Sequence, residues 1–429
     1  MRYSIGAPGL LLAASLAAGD GSTDLLWAAY HDDLDRARKQ IRQGADVNAA
    51  NDLGATPLWA AAQNGSAAMT AELLRAGADP NKALLAGETP LMVASRGGFA
   101  AVVGQLLASG ADPDRRATRG QTALMWAAAN RHPEVVRLLL GARADLRART
   151  HSWRQMMAVP PHGYPAYNRE IPHGSYTALL FAVRAGDLES AKLLVAAGAD
   201  VNDEDAWGVS ATVLAAHAGF TDLAVFLLDK GADPNAGRAG FTALHCAIMR
   251  RDEPLVRALL ARGADPGAPL KTWTPTRRSS RDWNFDPKLV GATPLWLAAR
   301  FQQPEVMRLL AARGADGRFV HHSRYVAEKD YSEKSESLTT LMAALGAGGG
   351  AAWTPPSGNR DASTLETVRA ALDLGADIHA RTTGGRTALD LARESGQPAE
   401  VIALLMAACR SSGPGLCPPD RADASSPPR

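Results

Sequence analysis

Residues 240–265 read GFTALHCAIMRRDEPLVRALLARGAD and predict two short helices joined by a turn. Thr242 stands where an N-cap hydroxyl accepts a free backbone N–H of the first helix. The Asp-Glu-Pro run at 252–254 would end that helix and begin the second, because acids and proline are favoured in a first helical turn. Gly263 would end the second helix, since glycine adopts the left-handed conformation without strain. Helices this short cannot bury their apolar faces alone, so copies are expected on either side.

The same two features recur along the chain at a regular step. Cap residues before an apolar helix stand at Thr56, Thr89, Thr122, Thr177, Ser210, Thr242, Thr293, Thr339 and Thr387. Turns of the Gly-Ala-Asp type stand at Gly44, Gly77, Gly110, Arg143, Gly198, Gly231, Gly263, Gly314 and Gly375. The basic step in both series is 33 residues, shortened once to 32. The chain is therefore a tandem repeat interrupted at a few places.

A 33-residue period of one turn and two helices, with Thr-Pro-Leu and Gly-Ala-Asp-x-Asn motifs, resembles the ankyrin repeat. The resemblance covers roughly residues 22–410. It implies an all-α ankyrin-repeat solenoid of about ten helix-turn-helix repeats with long insertions on the finger side, the edge that the turns form. It implies little about the partner, because ankyrin arrays resemble each other whatever they bind.

The period divides the chain into ten predicted repeats and four insertions. The repeats lie near 22–50, 51–83, 84–116, 117–149, 174–204, 205–237, 238–268, 291–318, 338–381 and 382–410. Insertions 1 to 4 are residues 150–173, 269–290, 319–337 and 348–363. Insertion 4 separates the two helices of one repeat, where a glycine run at 346–350 predicts a flexible bend. Residues 411–429 are rich in proline and serine and are predicted to be disordered.

Residues 1–21 have the layout of a signal peptide. Arg2 precedes a short apolar run from Ile5 to Leu16, and small residues that suit cleavage follow it. The run is too short for a permanent membrane anchor. We therefore expect a periplasmic or secreted protein with no integral membrane segment after cleavage, and a cytoplasmic one if the segment is retained.

Composition adds few constraints. Lys+Arg 46 against Asp+Glu 44 leaves a net charge of +2, which does not point to a nucleic-acid partner. Arginine supplies most of the positive charge and suits bidentate contacts, although a GC-rich genome would favour arginine equally. Cys246 is expected in the core. Cys409 and Cys417 would form a disulfide in an exported protein and would otherwise be free thiols.

The insertions carry an unusual share of aromatic residues. They hold ten of the chain's 24 aromatic side chains and five of its ten histidines, which favours ordered loops that pack on each other or on the repeats. Insertions in repeat proteins map to loops on one face, often the binding face. The candidate partner-binding residues there are Trp153, Tyr164, Tyr167, Trp273, Trp283, Tyr325 and Trp353.

The groove lined by the first helices is the second candidate surface. The residue seven after each cap is expected near the exposed end of that helix. Basic residues at or beside this position are Arg96, Arg184, His217, Arg250 and Arg300. Such a groove would favour an acidic peptide or another anionic partner, whereas an ordinary solvated face would carry the same residues without function. Met249, Arg250 and Arg251 are expected to face a partner.

The sequence shows no strong metal or catalytic motif. His151, His162 and His173 are 11 apart, and the adjacent His321 and His322 would point to opposite faces of a strand. There is no G-x-S-x-G, H-E-x-x-H or Walker A pattern, so we predict neither a catalytic residue, a metal nor a cofactor. His245 is expected to make structural hydrogen bonds within the repeats.

Two classes of function remain open at this stage. The first is a monomeric, non-catalytic module that binds an unidentified protein through the groove and the aromatic insertions. The second is a small-molecule or carbohydrate-binding protein, or an atypical enzyme, whose insertions close over a pocket. The geometry discriminates between them, because the second requires insertions that converge on one concave polar site.

Overall fold

The computed structural model describes residues 23–157, 168–274, 285–327, 330–354 and 360–412. The described chain forms two compact units. The N-terminal unit contains the described residues up to Gln155 together with Ile171–Ala232. The C-terminal unit contains residues 156–157 and 168–170 and the described residues from Asp233 onward.

The N-terminal unit consists of six helix pairs. Its helices are α1 (Asp24–Tyr30), α2 (Leu34–Arg42), α3 (Pro57–Asn64), α4 (Ala67–Arg75), α5 (Pro90–Gly97), α6 (Ala100–Ala108), α7 (Ala123–Ala129), α8 (Pro133–Gly141), α9 (Ala178–Ala185), α10 (Leu188–Ala196), α11 (Ala211–Ala218) and α12 (Thr221–Asp229). The first helix of each pair, called the inner helix here, packs on the inner helix of the next pair. The second helices form the outer layer.

The C-terminal unit contains four further pairs. They are α13 (Ala243–Arg250) with α14 (Glu253–Ala261), α15 (Pro294–Arg300) with α16 (Pro304–Ala311), α17 (Thr340–Ala344) with α18 (Arg360–Asp373), and α19 (Ala388–Glu394) with α20 (Ala399–Ser412). Inner helices again pack on inner helices, and outer on outer. These pairs confirm the predicted all-α ankyrin-repeat class with about ten helix-turn-helix repeats.

Local sequence sets the ends of these helices as predicted. The hydroxyl of Thr56 accepts the backbone N–H of Trp59 at 3.1 Å, and the other cap threonines repeat this bond at most inner helices. Gly263 follows the end of α14 with φ +85°. The leucine two residues after the cap is at most 3 % exposed in eight repeats, and each such burial contributes roughly 1.5–3 kcal/mol.

The insertions contain strands that the sequence did not predict. In insertion 1, β1 (Trp153–Met157) and β2 (Arg169–His173) form a two-stranded sheet. In insertion 3, β3 (Val320–Val326) pairs antiparallel with β4 (Glu333–Thr339), with His321 opposite Leu338. Insertion 2 contains a short 3₁₀ turn at Pro287–Leu289. Insertion 3 therefore forms a hairpin, and the described residues of insertion 1 form a two-stranded sheet.

Candidate functional site

The inner helices of the N-terminal unit carry an arginine fixed against an aromatic ring. Arg96, in the last turn of α5, donates to the Glu88 carboxylate at 2.7 Å, and its guanidinium lies 5.3 Å from the ring centroid of Trp126. Both charged side chains are 16 % exposed. Because the pair is largely buried, packing fixes its geometry, and Arg96 forms part of the groove wall.

A second arginine and two aromatic rings continue this arrangement on α9. The Arg184 guanidinium lies 5.7 Å from the ring of Tyr176, which in turn lies 5.4 Å from the ring of Phe181. Arg184, Tyr176 and Phe181 are all half-buried. Since α7 packs on α9, the two clusters lie on neighbouring inner helices. We call the set the groove ladder: Glu88, Arg96, Trp126, Tyr176, Phe181 and Arg184.

Two other groove positions are buried, contrary to expectation. His217 is 8 % exposed and ends the buried stretch of α11, so it does not line an open groove. Met249 is fully buried at the corresponding place on α13. The seven-residue offset from the cap gives the position along the helix, but it does not show what covers that position.

A segment of the chain itself covers the groove of the C-terminal unit. Residues 346–354, called the strap here, lie across the ends of α13 and α15. The backbone N–H of Trp353 donates to the Met249 carbonyl at 2.9 Å, and the Arg300 guanidinium donates to the Gly350 carbonyl at 3.1 Å. Met249 and Arg300 are therefore occupied within the chain, which corrects the expectation that they face a partner.

The paired arginines after Met249 are also engaged. Arg251 donates to the Gln302 carbonyl at 3.4 Å, and burial lowers the pKa of its guanidinium. Arg250 is half-buried and interacts within the chain. Neither residue stands as an isolated cation in an open groove.

The glycine run in the strap packs closely, which corrects the predicted flexible bend. Gly348, Gly349 and Gly350 have φ values of +107°, +67° and +69°. A Cβ at Gly348 would come 2.5 Å from the Trp296 ring. A Cβ at Gly349 would come 2.4 Å from the Lys288 side chain. Glycine is needed here for both the left-handed conformation and the close approach.

Insertion 2 connects the strap to the repeats. Phe285 is fully buried, with its ring 5.2 Å from that of Phe241 and 5.1 Å from that of Trp353. The Thr274 hydroxyl accepts the Phe285 N–H at 2.9 Å. Trp353, predicted as a partner anchor, is therefore half-buried in an internal aromatic cluster.

Insertion 3 packs on insertion 2 through its first strand. His321 Nε2 lies 2.8 Å from the Lys288 carbonyl, and the Lys288 ammonium lies 4.7 Å from the ring of Tyr325. The Tyr325 hydroxyl donates to Glu336 at 3.0 Å, and burial together with that carboxylate raises the pKa of Tyr325 to about 12. His321 is buried and His322 exposed, which confirms that they face opposite sides of β3.

Among the described residues, insertion 1 contacts insertion 2 through a cation–π pair. The Arg169 guanidinium lies 4.0 Å from the ring of Trp273. Trp153 stacks on His173 at 5.7 Å and remains 41 % exposed. The predicted anchors Tyr164, Tyr167 and Trp283 lie outside the described residues. So does Cys417, and the bridge between Cys409 and Cys417 stays a prediction.

The insertions therefore converge, and insertion 2 contacts each of the other three. Their junction is filled by side chains, since Phe285, Leu289 and His321 are fully buried. Beside it, between two turns of the C-terminal unit, lies a half-open cavity of about 500 Å³. The cavity is lined by Asn235, Gly237, Arg238, Gly240, Phe241, Thr242, Asp265, Ala268, Pro269 and Lys271.

His245 and Cys246 on α13 are fully buried in the core of the repeat. His245 Nδ1 accepts the Thr242 N–H at 3.1 Å, and burial lowers the pKa of this imidazole to about 4. Burial raises the pKa of the Cys246 thiol, which is unfavourable for a nucleophile. Among the described residues, no group of three His, Cys, Asp or Glu side chains is placed to hold a metal ion.

The groove ladder contains three aromatic residues that sequence reasoning missed. Trp126 and Phe181 each stand four residues after their cap threonine, about one helical turn before the position of the basic residues, which is seven residues after the cap. Reading both positions of the inner helix would have found them. Tyr176 directly precedes its cap, and only the structure shows that it stacks on Arg184.

Comparison with known proteins identifies the class. A family model described as ankyrin repeats (3 copies) matches residues 25–117, 70–150 and 173–269, and an ankyrin-repeat model matches residues 290–320. The chain belongs to the ankyrin-repeat family. Such repeats are generally protein–protein interaction modules, and the family is typically non-enzymatic. In the described part of the chain, no helix is both long and apolar enough to cross a membrane.

Three curated relatives illustrate the range of similar proteins. A putative ankyrin repeat-containing protein of Treponema pallidum is 44 % identical over 90 residues, covering 20 % of this chain and 30 % of the relative. A putative palmitoyltransferase ZDHHC13 of Danio rerio is 31 % identical over 261 residues, covering 56 % and 36 %. A putative ankyrin repeat protein of Rickettsia bellii is 30 % identical over 145 residues, covering 33 % and 70 %. The chain spans about a third of the length of the first two relatives.

Proposed function

We propose that this chain is a non-catalytic module that binds a protein partner through the groove ladder of the N-terminal unit. One observation carries the proposal. The ladder leaves Arg96, Arg184, Tyr176 and Phe181 partly exposed, whereas the strap covers the corresponding helix ends of the C-terminal unit.

The chemistry of the ladder suits a partner with acidic and aromatic or apolar side chains. Arginine, tyrosine and tryptophan dominate binding hot spots, because they combine buried area with fixed polar groups. Here the aromatic rings hold both guanidinium groups in place, so less rotamer entropy is lost when a partner binds. Trp153 is an additional anchor in this proposal, since 41 % of it remains exposed.

The test expresses the full-length wild type and the double variant Arg96→Ala/Arg184→Ala as affinity baits in cells of the source organism and compares the proteins that each one captures. Partners captured by the wild type and identified by mass spectrometry should bind the double variant about 30-fold more weakly. Arg137→Ala, on the exposed side of α8, is the control and should leave capture unchanged. Circular dichroism melts check that each variant is folded. Equal capture by the wild type and the double variant would rule out the ladder as the contact surface.

A second candidate is a small-molecule or carbohydrate ligand in the cavity of about 500 Å³. The observation that favours it is the cavity's position beside the converging insertions, with Arg238 and Lys271 in its wall. Ligand-observed NMR with monosaccharides and dicarboxylic acids tests it, with Lys271→Ala as the comparison. Signal changes that persist in the variant, or none at all, would remove this candidate.

We further propose that residues 1–21 direct export and are removed, and that the mature protein is a monomer. The support is the sequence pattern of the segment described above. Mass spectrometry of the purified protein would show an N-terminus between residues 18 and 22 if cleavage occurs, and an intact Met1 would contradict it. Light scattering of the same sample reports the oligomeric state.

A further inference from the structure

The turns between the first five repeats form a rigid row in the N-terminal unit. The Leu85 N–H donates to the Leu53 carbonyl at 3.0 Å, joining the first turn to the second. The backbone N–H of Thr118 donates to the Ala86 carbonyl at 3.0 Å, and the backbone N–H of His151 donates to the Arg119 carbonyl at 2.9 Å. These bonds hold the ends of four successive turns side by side.

Close approach of the turns restricts their motion further. A Cβ on Gly54, which has φ +83°, would lie 3.1 Å from backbone atoms of Leu84 and Leu85. The Asn51 side chain also accepts the N–H of Leu53 at 3.1 Å. The backbone at the ends of the turns is therefore held in place.

The first two of these turns expose apolar side chains. Leu85 is 80 % exposed and Leu53 is 40 % exposed. Ala86 beside them is also exposed. Burying a leucine is worth roughly 1.5–3 kcal/mol, so a turn that exposes one forgoes that stabilisation. Two joined turns with leucine at their ends therefore indicate a contact surface.

The next two turns carry exposed arginines. Arg115, Arg119 and Arg147 are exposed and have no carboxylate partner within the described residues. Arg115 and Arg147 lie on adjacent arms, the segments that lead from an outer helix to the end of the next turn. The two arms are joined because the Asp145 N–H donates to the Asp114 carboxylate at 2.7 Å. We call Leu53, Leu85, Ala86, Arg115, Arg119 and Arg147 the finger edge.

The acidic residues nearby lie mostly away from the ends of the turns. The carboxylates of Asp112, Asp114 and Asp145 each accept a backbone N–H at the base of the arms. Asp52 is the single carboxylate at the ends of the four turns, residues 52–53, 85–86, 118–119 and 151–152. The ends of the turns thus combine two exposed leucines with Arg119, and Arg115 and Arg147 lie behind them.

We propose that the finger edge binds the surface of an anionic phospholipid membrane. Leu53 and Leu85 enter the boundary between headgroups and acyl chains, while the arginines contact lipid phosphates. Arg119 stands in the same row, and Arg115 and Arg147 stand behind it. Trp153, exposed just after the fourth turn, has the residue type enriched at that boundary. This binding does not rest on the groove ladder, and the two proposals share Trp153 alone.

The shape of the edge favours a lipid surface over a protein. A row of projecting turn ends can contact a flat, deformable surface at every turn simultaneously. A protein partner needs a complementary, closely packed counterpart, whereas Leu53 and Leu85 project from the ends of separate turns. An acidic protein remains an outcome that the test separates.

The experiment sediments the full chain with vesicles of phosphatidylcholine alone or with about 30 % phosphatidylglycerol. We expect binding to the anionic vesicles and little binding to the neutral ones. Leu53→Ser/Leu85→Ser should weaken binding about tenfold. Arg115→Gln/Arg119→Gln should weaken it by about fivefold for each arginine. Asp52→Asn should strengthen binding, because it removes a negative charge from the edge.

The matched control is Arg75→Gln/Arg137→Gln, which removes the same charge from the outer helices and should bind as the wild type does. Melting curves confirm that each variant is folded. Absent or equal binding to both vesicle types would overturn the proposal, as would an equal loss in the control or full binding by the leucine variant. Binding of labelled polyglutamate without vesicle binding would assign the edge to an acidic protein and also overturn it.

Discussion

At the scale of single residues, Arg143 carries a backbone cost that the other turns avoid. It is the one turn position in the Gly-Ala-Asp series that is not glycine, and its φ is +61°. A residue with a side chain costs about 1–2 kcal/mol in this left-handed conformation of the folded state. Glycine removes that cost, but it also makes the unfolded chain more flexible, which offsets part of the gain in stability. Arg143→Gly should therefore raise the free energy of unfolding by about 0.5–1 kcal/mol in urea titrations.

The reciprocal change supplies the control for this prediction. Gly110 occupies the same position one repeat earlier, with φ +84° and no atom within 4 Å of the place that a Cβ would take. Gly110→Ala should lower the free energy of unfolding by about 1 kcal/mol through backbone strain alone. If both substitutions shift stability in the same direction, backbone conformation does not explain the effect.

His245 should make stability depend on pH in a defined window. Burial lowers its folded-state pKa to about 4, against about 6.5 for an unfolded histidine. Between these values the unfolded chain binds a proton that the folded chain does not, so stability falls as the pH drops. The loss from pH 7 to pH 4 amounts to roughly 3 kcal/mol for this residue.

The measurement compares urea unfolding of the wild type and His245→Asn at pH 7 and pH 4.5. Carboxylates titrate in both proteins, so the difference between the two pH dependences isolates the imidazole. We expect the variant to be less stable at pH 7 but to lose less stability on acidification. Parallel pH dependences would show that His245 is not neutral and buried in the folded protein.

At the scale of elements, the strap depends on Gly348, Gly349 and Gly350, where a side chain would collide with a neighbouring one. A Cβ at Gly348 would lie 2.5 Å from the Trp296 ring, and the backbone of this residue has a φ of +107°. Gly348→Ala should therefore lower the free energy of unfolding by about 2–3 kcal/mol and loosen the strap. Gly346→Ala is matched, because its φ is +91° with nothing within 4 Å, and should cost less. Iodide quenching of tryptophan fluorescence would rise more in the first variant, and equal effects would contradict a packed strap.

The elements divide into those that sequence could predict and those it could not. Caps, turns and apolar spacing are local, so the helix pairs and the end of α14 at Gly263 followed from the pattern. The hairpin β3–β4 and the strap depend on contacts across tens of residues, such as His321 with Lys288 and Trp353 with Met249. The same limit applies to the site: the sequence located Arg96 and Arg300 correctly along their helices, but it could not show that the strap occupies Arg300.

At the scale of the whole molecule, a repeat architecture makes stability a sum of local terms. Each repeat buries its core against its neighbours, so a cavity in one repeat should be felt mainly nearby. Leu124, on α7, is 1 % exposed, and Leu124→Ala should cost about 2–5 kcal/mol. Hydrogen exchange followed by mass spectrometry should show faster exchange in α5, α7 and α9.

The same experiment should show unchanged protection in α15 to α20, the last three helix pairs of the C-terminal unit. Leu295→Ala, the matched leucine on α15, should give the reverse pattern, since it is fully buried two residues after its own cap. The strap adds a distinctive expectation, because it connects α13 to α15 through Met249 and Arg300. Leu295→Ala should therefore also expose the strap and α13. Uniform loss of protection along the chain in both variants would mean that the array unfolds as one cooperative body.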